Sequence, residues 1–413
     1  MDSLSQLFTP SVSSIFFNQF QQNVLKLATM FLKKHHIFYL FLLFSCVANG
    51  QQDALQVIGG KDSLAQNEVP PSVKTAFKSP NAFKIIPLPI AFYTPDTKVG
   101  GGIIGLSTFN FKSDSIGARR STVTVGLIFT QKKEILLYFP FQLFPKNQKY
   151  WIGGEVGYYQ NMYNFFGIGN DYPSSYVEKF SATYPRIKIS ALKQIKPHLF
   201  VGLRFGFEDY KFTMVDSGGI LERNLVVGAM GGRHSCIGVQ TNYDTRDAIF
   251  APTKGWFIES YVYKAAALVG GNFNFQRFYI DASHYQKVGN ESVLAFNGAL
   301  ILSSGNVPFH QMPVIGGTKR LRGYLEGKYS DNNLAVLQSE YRFPISKRLG
   351  AVVFGGVGEV AATPLAWSIS TIRYNYGGGL RYMVDKAQRI NLRADYGFGC
   401  HSQGFYLTMG EAF

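Results

Sequence analysis

From about residue 83 onward the chain repeats one pattern, in which polar and apolar residues alternate over roughly ten positions before a turn or loop. In the clearest segment, 389–396 (RINLRADY), every second side chain is polar and those between them are apolar. Successive side chains of a β-strand point to opposite faces, so the alternation predicts strands with one polar and one apolar face. Segments 185–192, 199–208 and 372–382 repeat it without helical stretches between them. The pattern predicts an all-β fold.

So many antiparallel strands without covering helices leave edges exposed unless the sheet closes on itself. Eleven strands are predicted before a long loop near residue 320 and five after it. The first two are 83–93 and 99–112, and the last five are 333–344, 348–359, 371–383, 388–399 and 403–413. A total of sixteen predicts a transmembrane antiparallel β-barrel with both ends on the periplasmic side, as in single-chain bacterial barrels.

Composition agrees with a barrel and excludes several other classes of protein. The 413 residues exceed one ordinary soluble core, and Gly (43), Phe (36) and Tyr (24) are plentiful. Outside the N-terminus no apolar run is long enough for a spanning helix. The net charge of +15 is interspersed with apolar residues rather than clustered, which argues against nucleic-acid binding. The two cysteines of the barrel region, Cys236 and Cys400, form no metal motif, and we expect no metal and no cofactor.

The N-terminus resembles a secretion signal. Basic and histidine residues 33–36 precede the apolar run 37–47, which is too short to span a bilayer, and then Ala48-Asn49-Gly50. We expect residues 1–50 to be an extension plus signal peptide cleaved after Gly50, residues 51–82 a short periplasmic lead-in, and residues 83–413 the barrel. Translation from Met30 and lipoprotein processing at Cys46 remain open alternatives.

The last predicted strand ends on an aromatic residue, Phe413. Alternation puts Phe405, Leu407, Met409 and Phe413 together on its lipid-facing side. Outer-membrane barrels commonly end this way, so we predict that Phe413 is an assembly signal. Together with the signal segment, this predicts a bacterial outer-membrane location.

The segment Gly316–Tyr324 (GGTKRLRGY) resembles the conserved loop motif of the BamA/TamA family, also called the bacterial surface antigen family. The match is Leu321, Arg322, Gly323 and Tyr324. In that family the loop tip folds back into the barrel and its arginine pairs with acidic residues of neighbouring strands. The resemblance therefore implies an inward-folded loop here, with Glu340 and Glu359 as candidate partners of the Arg322 guanidinium.

Other segments carry the same resemblance over nearly the whole chain from residue 83. They are 166–171 (FGIGND), 338–344 (QSEYRFP), 354–360 (FGGVGEV) and the ending 382–413. A charged turn between the eighth and ninth strands, on the periplasmic side, also resembles a family motif. Its residues are Asp244, Arg246, Asp247, Pro252 and Gly255. This turn could equally be only a charged connection, and Arg322 could serve only to hold its loop.

The resemblance implies a barrel that assists insertion or translocation of proteins, or of lipids, at the outer membrane. Its mechanism would use a weak seam between the first and last strands, where Pro87 and Pro89 cannot donate ladder hydrogen bonds. The expected partners are outer-membrane lipid and client outer-membrane or secreted proteins, and the barrel is expected to be monomeric. Relatives carry periplasmic domains that residues 51–82 are too short to hold, which puts independent insertase activity in doubt.

Two other functions stand beside this one. A passive or gated channel would favour anions, because alternation turns seven cationic side chains inward: Arg186, Lys188, Arg204, Arg373, Arg381, Arg389 and Arg393. An enzyme is not expected, because His234-Ser235 is the only pair suggestive of a hydrolase and no acidic partner lies at an informative spacing.

Overall fold

The computed structural model describes residues 85–111, 120–173, 175–248, 250–386 and 389–413. The predicted signal peptide with its cleavage after Gly50, and the predicted lead-in at 51–82, lie outside the described residues. No helix in the described part of the chain has both the length and the apolar character needed to cross a membrane.

The described residues form β-strands almost throughout. In chain order the strands are β1 (Ile86–Thr94), β2 (Lys98–Phe109), β3 (Ser121–Thr130), β4 (Ile135–Leu143), β5 (Tyr150–Phe165), β6 (Glu178–Lys196), β7 (Leu199–Val215), β8 (Gly232–Asp244), β9 (Gly255–Ala265), β10 (Phe275–Val288), β11 (Ser292–Gly305), β12 (Val314–Ile315), β13 (Tyr329–Ser330), β14 (Asn333–Pro344), β15 (Leu349–Ala361), β16 (Arg373–Asp385), β17 (Ile390–Gly399) and β18 (Ser402–Met409). Short helical turns lie at Pro145–Gln148, Ala267–Val269, Phe309–Gln311 and Ile369–Thr371.

All strands except β12 and β13 join in one closed antiparallel barrel, in which each strand pairs with its neighbours in the chain and β1 meets β18. The predicted barrel of sixteen strands, eleven before the long loop and five after it, is confirmed. β12 and β13 pair with each other inside the loop that connects β11 to β14. We call residues 306–332 the lumenal loop.

The two faces of the barrel wall differ as the sequence alternation predicts. Along β4, Ile135, Leu137 and Phe139 are exposed, whereas Leu136 and Tyr138 between them are buried. Inside the barrel the buried residues include charged side chains, among them Arg322 and Asp395. Apolar residues outside and charges inside invert the arrangement of a soluble protein and match a barrel surrounded by lipid.

The two rims of the barrel also differ. The rim where β1 begins and β18 ends carries mostly short connections, such as Gly289–Glu291 between β10 and β11, and we call it the turn end. The opposite rim, which we call the loop end, carries the longer connections, including the lumenal loop. Bacterial barrels place short turns in the periplasm and long loops outside the cell.

The seam between β1 and β18 has the shortest ladder in the described barrel. It is closed by one residue pair, Tyr93 with Leu407. The next shortest ladder, between β3 and β4, pairs at six positions. Pro87 and Pro89 are two residues apart, so both remove an N–H from the same edge of β1. The β1–β2 ladder runs unbroken through both prolines, which puts the missing donors on the β18 side.

The prediction that Phe413 lies on the lipid-facing side is wrong. β18 ends at Met409, and Gly410 then takes a φ of +80°, which turns the last residues away from the strand direction. Phe413 packs against the buried Tyr285 and its neighbours Val293 and Ala295 inside the barrel. Its carbonyl accepts a hydrogen bond of 2.8 Å from Arg342. The assembly-signal role of Phe413 stays a prediction.

Candidate functional site

The centre of the candidate site is Arg322, at the tip of the lumenal loop. Its side chain is 1% exposed. One terminal nitrogen donates to Glu340 of β14 and the other to Asp395 of β17, while the guanidinium lies 3.6 Å from the ring centre of Phe354 on β15. One side chain of the loop therefore binds three separate strands of the wall, and each carboxylate receives a charge-assisted hydrogen bond.

Both carboxylates belong to a larger network of ion pairs. Asp395 also accepts from Arg381 at 2.5 Å, and Glu340 accepts from Arg342 at 2.8 Å. Arg381 in turn donates to Glu411 at 2.7 Å. The network runs from the loop tip to the segment that follows β18. Buried charges of both signs hold one another in place here, and removal of any member leaves its buried partners with fewer opposite charges around them.

The backbone of the tip is also fully engaged. The N–H of Gly323 donates to the hydroxyl of Tyr406 at 2.9 Å, and its carbonyl accepts from Ser402 at 2.7 Å. Tyr324 donates through its hydroxyl to the carbonyl of Tyr374 at 2.8 Å, and that hydroxyl accepts from the N–H of Cys400 at 2.7 Å. β16 and β18 thus hold the tip through hydrogen bonds in addition to the ion pairs.

Two glycines of β17 make room for this tip. A Cβ at Gly397 would lie 2.6 Å from the carbonyl oxygen of Arg322, and one at Gly399 would lie 2.4 Å from the ring of Tyr324. Any larger residue at these inward positions would push the loop off the wall. The wall is therefore shaped to receive the loop.

The start of the lumenal loop is anchored to a different part of the wall. Phe309 packs edge-on against Phe165 of β5 and Phe180 of β6, with ring centres 5.1 and 5.3 Å apart. His310 lies over Tyr210 of β7 at 4.1 Å. Gln311 donates to Glu208 of β7 at 2.6 Å. Since the tip binds β14 to β18, the loop crosses the lumen and is held on both sides.

Among the candidate partners named from the sequence, only Glu340 contacts Arg322. Glu359 accepts instead from the N–H of Ser368 at 2.9 Å and from the hydroxyl of Thr371 at 2.5 Å, so its assignment to Arg322 is wrong. The register explains this. Glu340 lies opposite Phe354, and Glu359 is five residues further along β15, about 17 Å away.

Asp395, the second partner of Arg322, was missed by the sequence analysis. A signal for it existed, because alternation puts Asp395 on the polar, inward face of its strand beside Arg393. It is the single acidic residue among the inward positions of β17. To choose between Glu359 and Asp395 as a partner of Arg322, one must know the register of β14 to β17. The alternation of polar and apolar residues does not give that register.

The inward cations that suggested an anion channel contact acids or carbonyls. Arg186 meets Glu208 at 2.6 Å, Lys188 meets the same carboxylate at 3.1 Å, and Arg204 lies 3.8 Å from Glu259. Arg381 and Arg393 share Asp395, while Arg373 donates to the carbonyl of Asn170 at 3.2 Å. Arg389 precedes β17 and is not an inward strand residue as predicted. Most of these cations are thus paired with acids, which weakens the expectation of anion preference.

The predicted turn motif joins β8 to β9 at the turn end. The guanidinium of Arg246 donates two hydrogen bonds, of 2.8 and 2.9 Å, to the carboxylate of Asp244. Asp247 accepts from the N–H and hydroxyl of Thr253, at 2.8 and 2.7 Å, and from Arg389 at 2.8 Å. Burial alone would raise the pKa of Asp247, but these hydrogen bonds outweigh it and lower the pKa below its usual range.

The rest of the motif closes this turn. Pro252 is buried, and Gly255 takes a φ of +103°. A Cβ at Gly255 would lie 2.3 Å from the carbonyl oxygen of Thr245. The bond to Arg389 ties the β8–β9 turn to the β16–β17 turn. Asp244, Arg246 and Gly255 therefore hold the connection itself, and Asp247 holds both this connection and a second one.

Replacing Asp247 with alanine is expected to lower the free energy of unfolding by about 1–3 kcal/mol, because the donors of Thr253 and Arg389 lose a charged acceptor. The folded-state pKa is depressed, so this contribution is present above pH about 4 and is lost as the pH falls through the folded-state pKa. Urea unfolding at pH 7 and at pH 3 checks this. Asp171→Ala, which removes an exposed loop acid, is the control. An equal loss at both pH values would contradict the assignment.

The pair considered for hydrolase chemistry is divided between the two faces of β8. His234 points inward, with Nδ1 3.7 Å from Glu208, whereas the Ser235 hydroxyl donates to the carbonyl of Val269 at 2.5 Å. Neighbouring strand residues cannot meet on one side of the wall. Across the described residues, no three His, Cys, Asp or Glu side chains are grouped as metal ligands.

Comparison with known proteins finds a family match in the C-terminal part of this barrel. Residues 231–413 match the Omp85 superfamily domain. The chain thus resembles the BamA/TamA-type barrels of the bacterial outer membrane. The Omp85 domain contains the charged turn, the lumenal loop and all five strands that follow it. Both carboxylate partners of Arg322 therefore lie inside the matched region.

Solved structures match the fold over most of the chain. BamA from Haemophilus ducreyi lacking POTRA domains 1–3 is 13% identical, with a TM-score of 0.56 over 80% of this chain and 70% of that one. CdiB from Acinetobacter baumannii is 12% identical (TM-score 0.51), and the match covers 79% of this chain but only 59% of that protein. CdiB from Escherichia coli is 9% identical (TM-score 0.50), over 82% and 69% of the two chains. No curated protein sequence matches.

Proposed function

We propose that this barrel assists the insertion or translocation of proteins at the outer membrane, through an opening between β1 and β18. The observation that carries the proposal is the seam, which is closed by the pair Tyr93 and Leu407, while every other ladder of the described barrel wall pairs at six or more positions. A strand with unpaired N–H and C=O groups is a template for a strand of another chain. A client strand could therefore pair with this edge while it enters the membrane.

The lumenal loop fits this role as a support for the weak side of the barrel. Its tip binds β17 through Asp395 and β18 through Tyr406. The strands next to the seam are thus held from inside, although the ladder to β1 is short. The loop also crosses the lumen from β5–β7 to β14–β18, which favours passage at the seam over passage through an open pore. The paired inward cations further weaken the alternative of an anion-favouring channel.

A reversible lock across the seam tests the proposal. Tyr93→Cys with Leu407→Cys, in a chain whose native cysteines are replaced by alanine, joins two residues that are register partners and so within disulfide range. The barrel is placed in lipid vesicles, and protease protection of an added unfolded outer-membrane barrel reports insertion. Oxidation is expected to reduce insertion to the level of protein-free vesicles, and reduction of the disulfide should restore it.

The matched control ties the same residue to its other neighbour. Tyr93→Cys with Val99→Cys locks β1 to β2, where the ladder is already continuous. This lock should leave insertion unchanged. If both locks spare insertion, or if the unlocked barrel inserts no more client than empty vesicles do, the proposed function fails.

A further inference from the structure

The turn end of the barrel carries an excess of exposed cations that the ion pairs of the lumen do not involve. Six connections at this end are described, and each contributes at least one exposed lysine or arginine from the connection or the adjoining strand end. We call these residues the basic ring: Lys146, Lys149, Lys193, Lys196, Lys254, Lys287, Lys347, Arg348 and Lys386.

Few acids accompany the basic ring. In the described parts of the same six connections and the adjoining strand ends, the acidic residues are Asp244, which binds Arg246, Asp247, which binds Arg389, and Glu291 and Asp385. The connections at the loop end mix both signs instead. Acids lie there beside the lysines and arginines, for example Asp96, Glu134 and Glu222. Among the described connections, exposed positive charge therefore exceeds negative charge at the turn end.

The basic ring lies where the lipid-facing band of the wall ends. Ile195 adjoins Lys196, and Ile345 is two residues before Lys347; their side chains are exposed. Two exposed aromatic residues, Trp256 and Tyr382, lie at the same end, on β9 and β16. Aromatic side chains mark the level of the lipid headgroups in membrane barrels. The cations are thus at the level of the headgroups.

We propose that the basic ring binds the phosphates of anionic phospholipids in the membrane leaflet at the turn end, phosphatidylglycerol being the simplest example. Lysine and arginine next to an anionic leaflet are attracted to it within a Debye length, about 8 Å at physiological salt. The ring would select anionic lipids around the barrel and fix its height in the bilayer. This inference does not depend on the proposed client insertion.

The distribution of the cations favours lipid over an acidic protein. A protein partner covers one patch, and its basic counterpart would be confined to neighbouring turns. Here the cations occur from the β4–β5 connection round to the β16–β17 connection. Headgroups surround a barrel on all sides and can meet every member of such a ring.

Spin-labelled lipids test the proposal in vesicles of phosphatidylethanolamine and phosphatidylglycerol. The measured quantity is the relative association of labelled phosphatidylglycerol over labelled phosphatidylethanolamine with the full chain. We expect about a twofold or greater preference for phosphatidylglycerol. Neutralising four separate turns, with Lys149→Gln, Lys196→Gln, Lys287→Gln and Lys347→Gln, should reduce the preference to about one. So should about 1 M salt, which shortens the Debye length to about 3 Å.

The matched control removes four exposed lysines from the other half of the barrel, with Lys98→Gln, Lys133→Gln, Lys211→Gln and Lys264→Gln. It makes the same change in net charge and should keep the preference. Two double variants, Lys149→Gln with Lys196→Gln and Lys287→Gln with Lys347→Gln, should each lose part of the lipid preference. They keep the test valid if the fourfold variant fails to fold. No preference in the wild type, or equal loss in the control, would overturn the proposal. Capture of soluble polyglutamate by a wild type without lipid preference would point to an acidic protein instead.

Discussion

Arg322→Ala is expected to release the loop tip and to turn a mostly closed barrel into one with frequent large openings. The substitution leaves Glu340 and Asp395 buried without the guanidinium between them, and both carboxylates are fully enclosed. Breaking a buried ion pair from one side costs about 3–5 kcal/mol. Arg342 and Arg381 still pair with the two carboxylates, so we expect a loss toward the lower end of that range. The lumenal loop keeps other wall contacts, such as the anchor at Phe309 and the ion pair of Lys319 with Asp281, but the ion pairs of its tip with β14 and β17 are lost.

Single-channel recording in planar bilayers measures this effect, and urea unfolding of the same samples measures the loss of stability. Arg322→Lys is the graded variant. It keeps one positive charge but cannot reach both carboxylates, so its conductance should lie between those of wild type and Arg322→Ala. A wild type that already conducts steadily, with Arg322→Ala unchanged, would mean that the loop does not close the lumen.

Gly323→Ala is expected to produce nearly the same opening without removing any charge. Gly323 has a φ of +115°, and an added Cβ would lie 2.8 Å from the carbonyl carbon of Phe398 and 2.9 Å from that of Gly397. The neighbouring atoms are backbone of β17 and cannot move aside. Backbone strain costs about 1–3 kcal/mol, and relief of the clash would require Arg322 to leave its two carboxylates.

Gly327→Ala is the matched control for this substitution. Gly327 lies in the same loop with a φ of +78°, but a Cβ there meets nothing closer than 4.0 Å. Alanine at position 327 therefore has the strain of a left-handed backbone conformation without the clash. The conductance of the Gly327→Ala barrel should remain that of the wild type. If Gly323→Ala and Gly327→Ala open the barrel equally, close approach of the tip to β17 does not hold the loop.

Much of the fold could be predicted because a period of two is a strong local signal. It gave the number of strands, and the predicted 333–344 is the observed β14. The same signal fails where a strand stops. Alternation extended the last strand through Phe413, whereas Gly410 ends it and the final aromatic ring packs inside the barrel.

The candidate site was predicted only as far as local pattern reaches. The motif around Arg322 and the inward face of β14 together identified Glu340. The other carboxylate, Asp395, is 73 residues from Arg322 in the sequence. Its strand, β17, is three strands from β14, which carries Glu340. Which side chains meet across a lumen depends on strand tilt and stagger, which no single strand encodes. The packing of Phe309 against aromatic residues of β5 and β6 could not be predicted either, because it also depends on strand tilt and stagger.

β1 and β18 form the weakly paired side of a barrel whose other strands pair at six or more positions. Hydrogen–deuterium exchange of the barrel in lipid bilayers measures this directly, strand by strand. Amides of β1 and β18 should exchange faster than those of any other described strand, and those of β10, which pairs at 11 and 14 positions with its two neighbours, should be among the slowest. Protection of β1 and β18 equal to that of β10 would contradict the claim.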